Sequence, residues 1–474
     1  MKQTAIAHWV AGRPVVAVGG GGRPVLSPHD GSVLATLPIG TARDVGAAVD
    51  SASVSQVGWA ALGLADRIRR MDEFAAAVEE HVEELATLQR LEMGQPLGLG
   101  RMLILQGAAA LRSACATAKQ YAFSVEAAGE DGASRLERRP LGVAALITPW
   151  NSPVLSVLEQ CGPILLSGNA LVVKPSELCP MSVAFLSSIS PLPPGVMNVV
   201  HGDGSTGALL SAHEAVRLVS FTGSVGSGRA VALAAAQKLM RATLELGGKD
   251  AVVVDRDVDV ESVAAQVALG SLLNSGQICT SMERVYVHQD IAPAFTEAVG
   301  VAVEAWGFDD GGAAMPALGP LASGRQRDLV VAQLRDAADR GARVVRGGVV
   351  PEGPGNRLPA TVVTGVNASM SLMREETFGP VVAIESIGSF EAGLRQAAAS
   401  TYGLGATVYS NDEAHLAAAA ELPVALVWLN QWQGRGGIMV YEPTKSSGMG
   451  ATGGSASFDA ATRPQTVYRG PRLP

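Results

Sequence analysis

From Ala5 to Leu37 the chain alternates short apolar and polar runs, broken by the glycines Gly19–Gly22 and by the turn Pro28-His29-Asp30-Gly31, which predicts an N-terminal β layer. At Thr41 the period changes. Val45, Ala48, Val49 and Ala52 recur at three- and four-residue spacing behind a side chain able to cap a helix. The same amphipathic pattern continues through Trp59 and Ala65–Leu91 to about Ala128. Beyond it, short apolar runs alternate with helical stretches. Gly142–Ile147, Ala170–Val173, Val196–Val200 and Arg217–Phe221 each end in Gly-, Pro- or Ser-rich residues and lead into a helix. A second series takes in Ala251–Val254, Arg284–His288, Val362–Val363 and Ala425–Asn430. This β-α rhythm predicts an α/β fold with two doubly wound parallel-sheet domains, in which ligands gather at the carboxyl ends of the strands.

Composition supports a large folded core and excludes several classes. With 474 residues, 47% of them apolar and 17% charged, the chain suits two or three cooperating domains. A net charge of -8 without a basic run argues against nucleic acid as a partner. No stretch approaches the ~18–20 continuous apolar residues of a membrane span, and Met1–Val10 lacks a signal-peptide core, so a cytoplasmic location with no membrane partner is expected. Cys115, Cys161, Cys179 and Cys279 form no C-x-x-C pair, which speaks against a disulfide framework or a metal site. Only six of the 36 basic residues are lysines, so a lysine inside a motif carries more information than usual.

Several segments carry candidate chemistry, each with a plainer alternative. Gly202-Asp203-Gly204-Ser205-Thr206-Gly207 has the form of a dinucleotide-binding turn, or is a chance turn in a chain holding 55 glycines. Phe221-Thr222-Gly223-Ser224-Val225-Gly226-Ser227-Gly228 opens a helix whose free N–H groups suit an anion such as pyrophosphate; it reads equally as a simple strand-to-helix loop. Cys279, in Asn274-Ser275-Gly276-Gln277-Ile278-Cys279-Thr280-Ser281, is either a small packed hydrophobe or a thiol nucleophile, and its small, polar flanks weaken the first reading. Glu245 lies in an apolar, glycine-rich stretch where desolvation would raise a carboxylate towards the range of a general base. Lys174, Glu177 and Asn151 read equally as loop residues.

Together these segments resemble the aldehyde dehydrogenase superfamily from about Thr41 to about Gly450. The order and intervals agree as well as the motifs: Thr148–Asn151, Lys174–Glu177, Phe221–Gly228, Glu245–Lys249, Gly276–Cys279 and Glu375-Glu376-Thr377-Phe378-Gly379-Pro380. The resemblance implies that Cys279 attacks an aldehyde to give a thiohemiacetal, that Asn151 and the Cys279 N–H bind the oxyanion, and that Glu245 helps water to hydrolyse the thioester. It implies NAD as cofactor, with NADP admissible. Lys174, Ser176 and Glu177 would lie at the adenosine ribose with Gly207 on the adenine side. Phe221, Thr222, Gly223 and Ser224 would lie at the pyrophosphate, and Thr148, Pro149, Trp150, Leu246, Gly247, Glu376 and Phe378 towards the nicotinamide. Ser152, Leu155, Ile278, Thr280, Trp432 and Arg435 would border the aldehyde. Arg435 suggests an aldehyde with a carboxylate or other polar end.

The resemblance further implies a cofactor domain (1–122 and 140–247), a catalytic domain (248–445) and an oligomerisation element (123–139 and 446–474) that joins a homodimer or homotetramer. There are departures from the family pattern. Val440–Thr452 is altered, and Thr452 stands where many members carry an acidic proton relay. Two other readings therefore stay open: a CoA-acylating enzyme, which Glu245 disfavours, and a catalytically quiet NAD-binding protein on the same fold.

Overall fold

The computed structural model describes residues 4–19, 21–129, 132–309, 311, 315–434 and 439–470. Two large sheets dominate it. In the first, the strands Arg241–Glu245, Val216–Thr222, Val143–Ile147, Ala170–Lys174 and Met197–Val199 run parallel in that spatial order. Antiparallel strands close both edges: Gly448–Met449 beside Arg241–Glu245, and the hairpin His8–Val10/Arg13–Val15 beside Met197–Val199.

The second sheet orders Arg343–Arg346, Thr361–Thr364, Val381–Ile387, Arg284–His288, Ala251–Val254, Gly405–Tyr409 and Leu426–Leu429, all parallel except the first. A third, antiparallel sheet joins Ser124–Gly129, Gly132–Pro140 and Thr462–Arg469.

The continuous apolar runs follow from burial on both faces. Alternate residues of a strand point to opposite sides. Ala144 and Leu146 accordingly enter one core cluster while Val143, Ala145 and Ile147 enter another. Ala251 and Val253 are likewise separated from Val252 and Val254 in the second sheet. A strand covered by helices on both sides has no polar face to show, so its sequence carries no alternation.

The helical region is Ala42–Ala61, Leu64–Glu80, Val82–Met93 and Leu97–Gln120. Its start is a capping box: Thr41 accepts from the Asp44 N–H while Asp44 accepts from the Thr41 N–H. The helical pattern expected to reach Ala128 stops at Gln120, and Ser124–Gly129 is a strand instead. Its six residues are all exposed, so no apolar face distinguished strand from helix there.

Glu245 ends a strand of the first sheet and Ala251 begins one of the second, so Leu246–Asp250 carries the chain from one to the other. The first sheet delivers its carboxyl end to this crossing and the second its amino end, where Cys279 precedes Arg284–His288 and Glu376–Phe378 precede Val381–Ile387. Ser447 clamps it, accepting from the Leu246 N–H through its carbonyl and donating its hydroxyl to the Gly247 carbonyl. No described helix is long and apolar enough to cross a membrane.

One buried amide ties the first sheet to the end of the chain. Asn169 accepts from the N–H groups of Leu141 and Gly142, at 2.7 and 2.9 Å, and donates to the carbonyls of Ile164 and Ala461. Replacing it orphans two half-buried donors. Asn169→Ala should lower the stability by about 2–4 kcal/mol, read from the urea midpoint at unchanged slope.

Candidate active site

Cys279 follows an unusual stretch of backbone. Asn274, Ser275 and Gly276 all have positive φ, at 54°, 58° and 72°. Only glycine adopts this region freely, so two of the three residues are held in it by their surroundings. Asn274 is fully used: its Nδ2 donates to the carbonyls of Asn151 and Gln277, and its Oδ1 accepts from Gln95. Ser275 exchanges hydrogen bonds with Gly319 at 2.9 Å in both directions. At Gly276 a Cβ would lie 2.0 Å from the Gly379 carbonyl oxygen, so no side chain fits.

The amide network continues outwards. Gln95 binds Gln89, which accepts from the Val154 N–H, and Gln277 donates to the Asn274 carbonyl and accepts from the Ala322 N–H. Asn151 is drawn into it, its Nδ2 donating to the Gln277 carbonyl at 2.9 Å. A carboxamide has two N–H bonds, so one remains for a ligand.

Cys279 itself is half-buried, and its carbonyl packs against Gly248, where a Cβ would approach within 2.3 Å. Burial, then the charges of Asp250, Glu245 and Glu376, hold its thiol far above the usual range. Glu245 is pushed up to about 8 by burial and by the charge of Glu159. Its Oε1 is buried without a hydrogen-bond partner among the described residues. A carboxylate in this state is a weak acid in the range useful for proton transfer at neutral pH.

Glu376 rests on the crossing segment, its Oε1 accepting from the Gly248 N–H at 3.0 Å, and burial pushes it up to about 8. Phe378, at a φ of 53°, meets Trp150 edge to face with ring centroids 5.3 Å apart. The Glu376–Phe378 turn is held by a buried ion pair. Lys249 Nζ donates to Glu283 Oε2 at 2.6 Å and to Thr377 Oγ1 at 2.8 Å. The Glu283 carboxylate also accepts from the N–H groups of Thr377 and Phe378, both at 2.8 Å.

The remaining cofactor candidates line the carboxyl end of the first sheet. Lys174 is buried 3.7 Å from Glu177, and Gly207 leaves the Lys174 stem clear, since a Cβ there would come no nearer than 3.7 Å. Ser176 is buried and accepts from the Leu178 N–H. Thr148 is buried with its hydroxyl unpartnered among the described residues, and the Pro149 carbonyl faces the Cys179 thiol. Phe221 and Leu246 are buried in the core, and Thr222 accepts from Gln160.

Ser224 caps the helix Val225–Gln237, accepting from the Ser227 N–H. A Cβ on Gly226 would meet nothing within 4 Å, so the first turn of this helix is open, and a dinucleotide pyrophosphate fits its free N–H groups. Gly223 and Gly247 are confined: a Cβ would strike Phe221 at 2.7 Å and the Glu376 carboxylate at 2.3 Å.

On the aldehyde side, Ser152 and Leu155 are half-buried at the start of the helix Pro153–Leu166, and Ile278 is half-buried beside Cys279. Thr280 is buried, its carbonyl accepting from Trp432 Nε1 and its hydroxyl from Gln433. Arg435 lies outside the described residues. The helix Gly204–Ala212 does follow the G-x-G-x-x-G turn.

Residue motifs did not single out Glu283, Gln95, Glu159 or Tyr441. Helical spacing from Ser152 and Leu155 reaches Glu159; Glu283 has no local signature.

A thiol, an unpartnered carboxyl and a free amide N–H at the carboxyl end of a dinucleotide-type sheet define a class, that of thiol-dependent, nucleotide-linked oxidoreductases. Comparison with known proteins names the family. The pattern of the aldehyde dehydrogenase family matches residues 18–467. A betaine aldehyde dehydrogenase of Cereibacter sphaeroides is 34% identical over 476 residues, covering 99% of this chain and 98% of the relative. The lactaldehyde dehydrogenase structure from Escherichia coli superposes with a TM-score of 0.95 at 29% identity, over 98% of this chain and 99% of that one. An indole-3-acetaldehyde dehydrogenase solved with NAD+ gives 0.94 at 30% identity, over 99% and 97%. The chain belongs to the aldehyde dehydrogenase family and oxidises aldehydes with NAD(P).

Glu283→Gln leaves the buried Lys249 ammonium without its counter-charge and the Thr377–Phe378 turn without a charged acceptor. The expected outcome is a loss of about 3–5 kcal/mol in urea unfolding, with a raised KM for the dinucleotide.

Proposed function

We propose that the enzyme follows the hydrolytic route, with Cys279 as nucleophile, Asn151 and the Cys279 N–H as oxyanion donors, and Glu245 as the base for deacylation. The observation that carries this reading is the buried, unpartnered Oε1 of Glu245, on a carboxyl raised to about 8 whose charge reaches Cys279. NAD(P), when bound, accepts the hydride. The chain's own residues do the rest. Cys279 releases its proton to solvent and its Sγ bonds the carbonyl carbon, and the developing oxyanion takes hydrogen bonds from the backbone and from the second N–H of Asn151. Each such donor is commonly worth about 10²–10³ in rate. Once the thioester has formed, Glu245 takes a proton from water, which attacks the acyl carbon, and Cys279 leaves as the thiol of the free enzyme. A CoA-releasing enzyme would have no use for a base held in this state.

Lys174 and Glu177 suit the adenosine ribose hydroxyls, and the Glu177 carboxylate disfavours a 2'-phosphate, so the proposal extends to NAD over NADP. Glu376, Phe378 and Trp150 would border the nicotinamide end. Residues 1–122 and 140–247 form the cofactor domain in this reading, 248–445 the catalytic domain, and 123–139 with 446–474 the oligomerisation element. The exposed Ser124–Gly129 strand is an unpaired edge suited to a homodimer or homotetramer contact. The place of action is the cytoplasm.

Cys279→Ala should abolish NADH formation with every aldehyde. Glu245→Gln should keep a burst of one NADH per site and lose steady turnover. In the parent enzyme steady turnover should rise with pH through about 8, the sign required when only the ionised base acts. Absence of a burst in Glu245→Gln, undiminished steady turnover in that variant, or a flat pH profile in the parent would remove Glu245 from this role.

A further inference from the structure

On the helix Pro153–Leu166 the residues Val154, Val157, Leu158 and Cys161 are buried. Ser152, Leu155 and Glu159 recur at three- and four-residue intervals on the face left open, and Glu159 is exposed. The neighbouring residue fixes where this face points. Gln160 Nε2 donates to Thr222 Oγ1 at 2.9 Å, and Thr222 is the cross-strand partner of Glu245. The open face therefore ends over the carboxyl ends of the two strands that carry the base. Glu159 and Glu245 feel each other's charge, and both act on Tyr441 together with Cys279, in agreement with the placement that the Gln160–Thr222 bond gives.

Among the described residues, no cation answers this charge. Glu159, exposed on this face, makes no hydrogen bond or ion pair among the described residues. Lys249 and Arg241, each four residues from Glu245, are committed elsewhere, Lys249 to Glu283 and Arg241 to the carbonyls of Asp459 and Thr462. Glu245 Oε1 is buried and free. Ser152, at the start of this open face, is small. The position vacated by the family's usual acid does not supply the partner either. Thr452 exchanges main-chain hydrogen bonds with Tyr441 and borders a separate cavity of about 30 Å3 with Gln160, Ser220 and Thr243.

We propose that Glu159 is a specificity residue that receives an alkylammonium group on the tail of the aldehyde, so that the enzyme selects cationic aldehydes. The assignment rests on the Cys279–Glu245 reading of the site. A cation lets Glu159 ionise and offsets its repulsion with Glu245. A hydroxyl would satisfy one lone pair and leave the charge unbalanced, and a carboxylate would add a third like charge.

The test compares trimethylammonio-butanal with its tert-butyl carbon isostere, which has the same shape without the charge, and with succinic semialdehyde. The parent enzyme should favour the cation in kcat/KM. Glu159→Gln should lower the cation-to-isostere ratio by about tenfold or more, the scale of one partly screened charge pair, and Glu159→Asp should keep most of it. NADH formation and quenching of intrinsic fluorescence by NAD report that the variants are folded. An unchanged ratio, an equal loss of rate on both substrates, as a proton relay to Glu245 would give, or a preference for succinic semialdehyde overturns the proposal. Oxidation of no aldehyde by the parent enzyme would instead overturn the reading on which it rests.

Discussion

The buried ion pair between Lys249 and Glu283 is the constraint on which the arrangement of the site depends. Its lysine lies on the segment that crosses from one sheet to the other, four residues past Glu245, and its carboxylate lies four residues past Cys279. The same carboxylate holds two backbone N–H groups of the turn that carries Glu376 and Phe378. One pair of charges thus ties together the segments that carry Glu245, Cys279 and Glu376. Burying it is tolerable because the ammonium has a second oxygen partner in Thr377 and the carboxylate is hydrogen-bonded through both oxygens. Removing either charge would strand the other, so the pair works as a unit.

A second constraint acts on the nucleophile loop. Asn274 and Ser275 hold a backbone conformation that costs of order 1–3 kcal/mol for a residue with a side chain. The buried amides offset that cost and gain something by it: the turn brings the Gln277 carbonyl under Asn151 and leaves Cys279 half-exposed at the sheet ends. Asn151 is then positioned by the same network that shapes the thiol's loop. Asn151 and the Cys279 loop are thus tied together, as the proposed attack geometry, held to fractions of an ångström, needs.

The electrostatic character of the cleft follows from what is missing. Asp250, Glu245 and Glu376 gather near the thiol, and burial leaves all three carboxyls raised to about 8. Asp250 is structural, accepting from the Gly405 N–H between the strands of the second sheet. The acid expected at residue 452 is absent, and a different one, Glu159, stands beside the base.

The sequence by itself determined the two parallel sheets, because strands covered on both faces must be apolar throughout, and such runs are visible without a structure. It also singled out Cys279, Glu245 and Asn151, through motifs whose order and intervals agree with one family. The helix expected past Gln120 was lost because an exposed strand has no apolar face to declare itself. Only the tertiary structure decided what holds these groups. Glu283, Gln95 and Asn274 act across 34, 56 and 123 residues of chain, on Lys249 or on Asn151. Hydrogen bonds between residues so far apart leave no local pattern, since their partners are chosen by the packing of the two sheets. The role of Glu159 is of the same kind: helical spacing puts it on one face with Ser152 and Leu155, and only the fold turns that face towards Glu245.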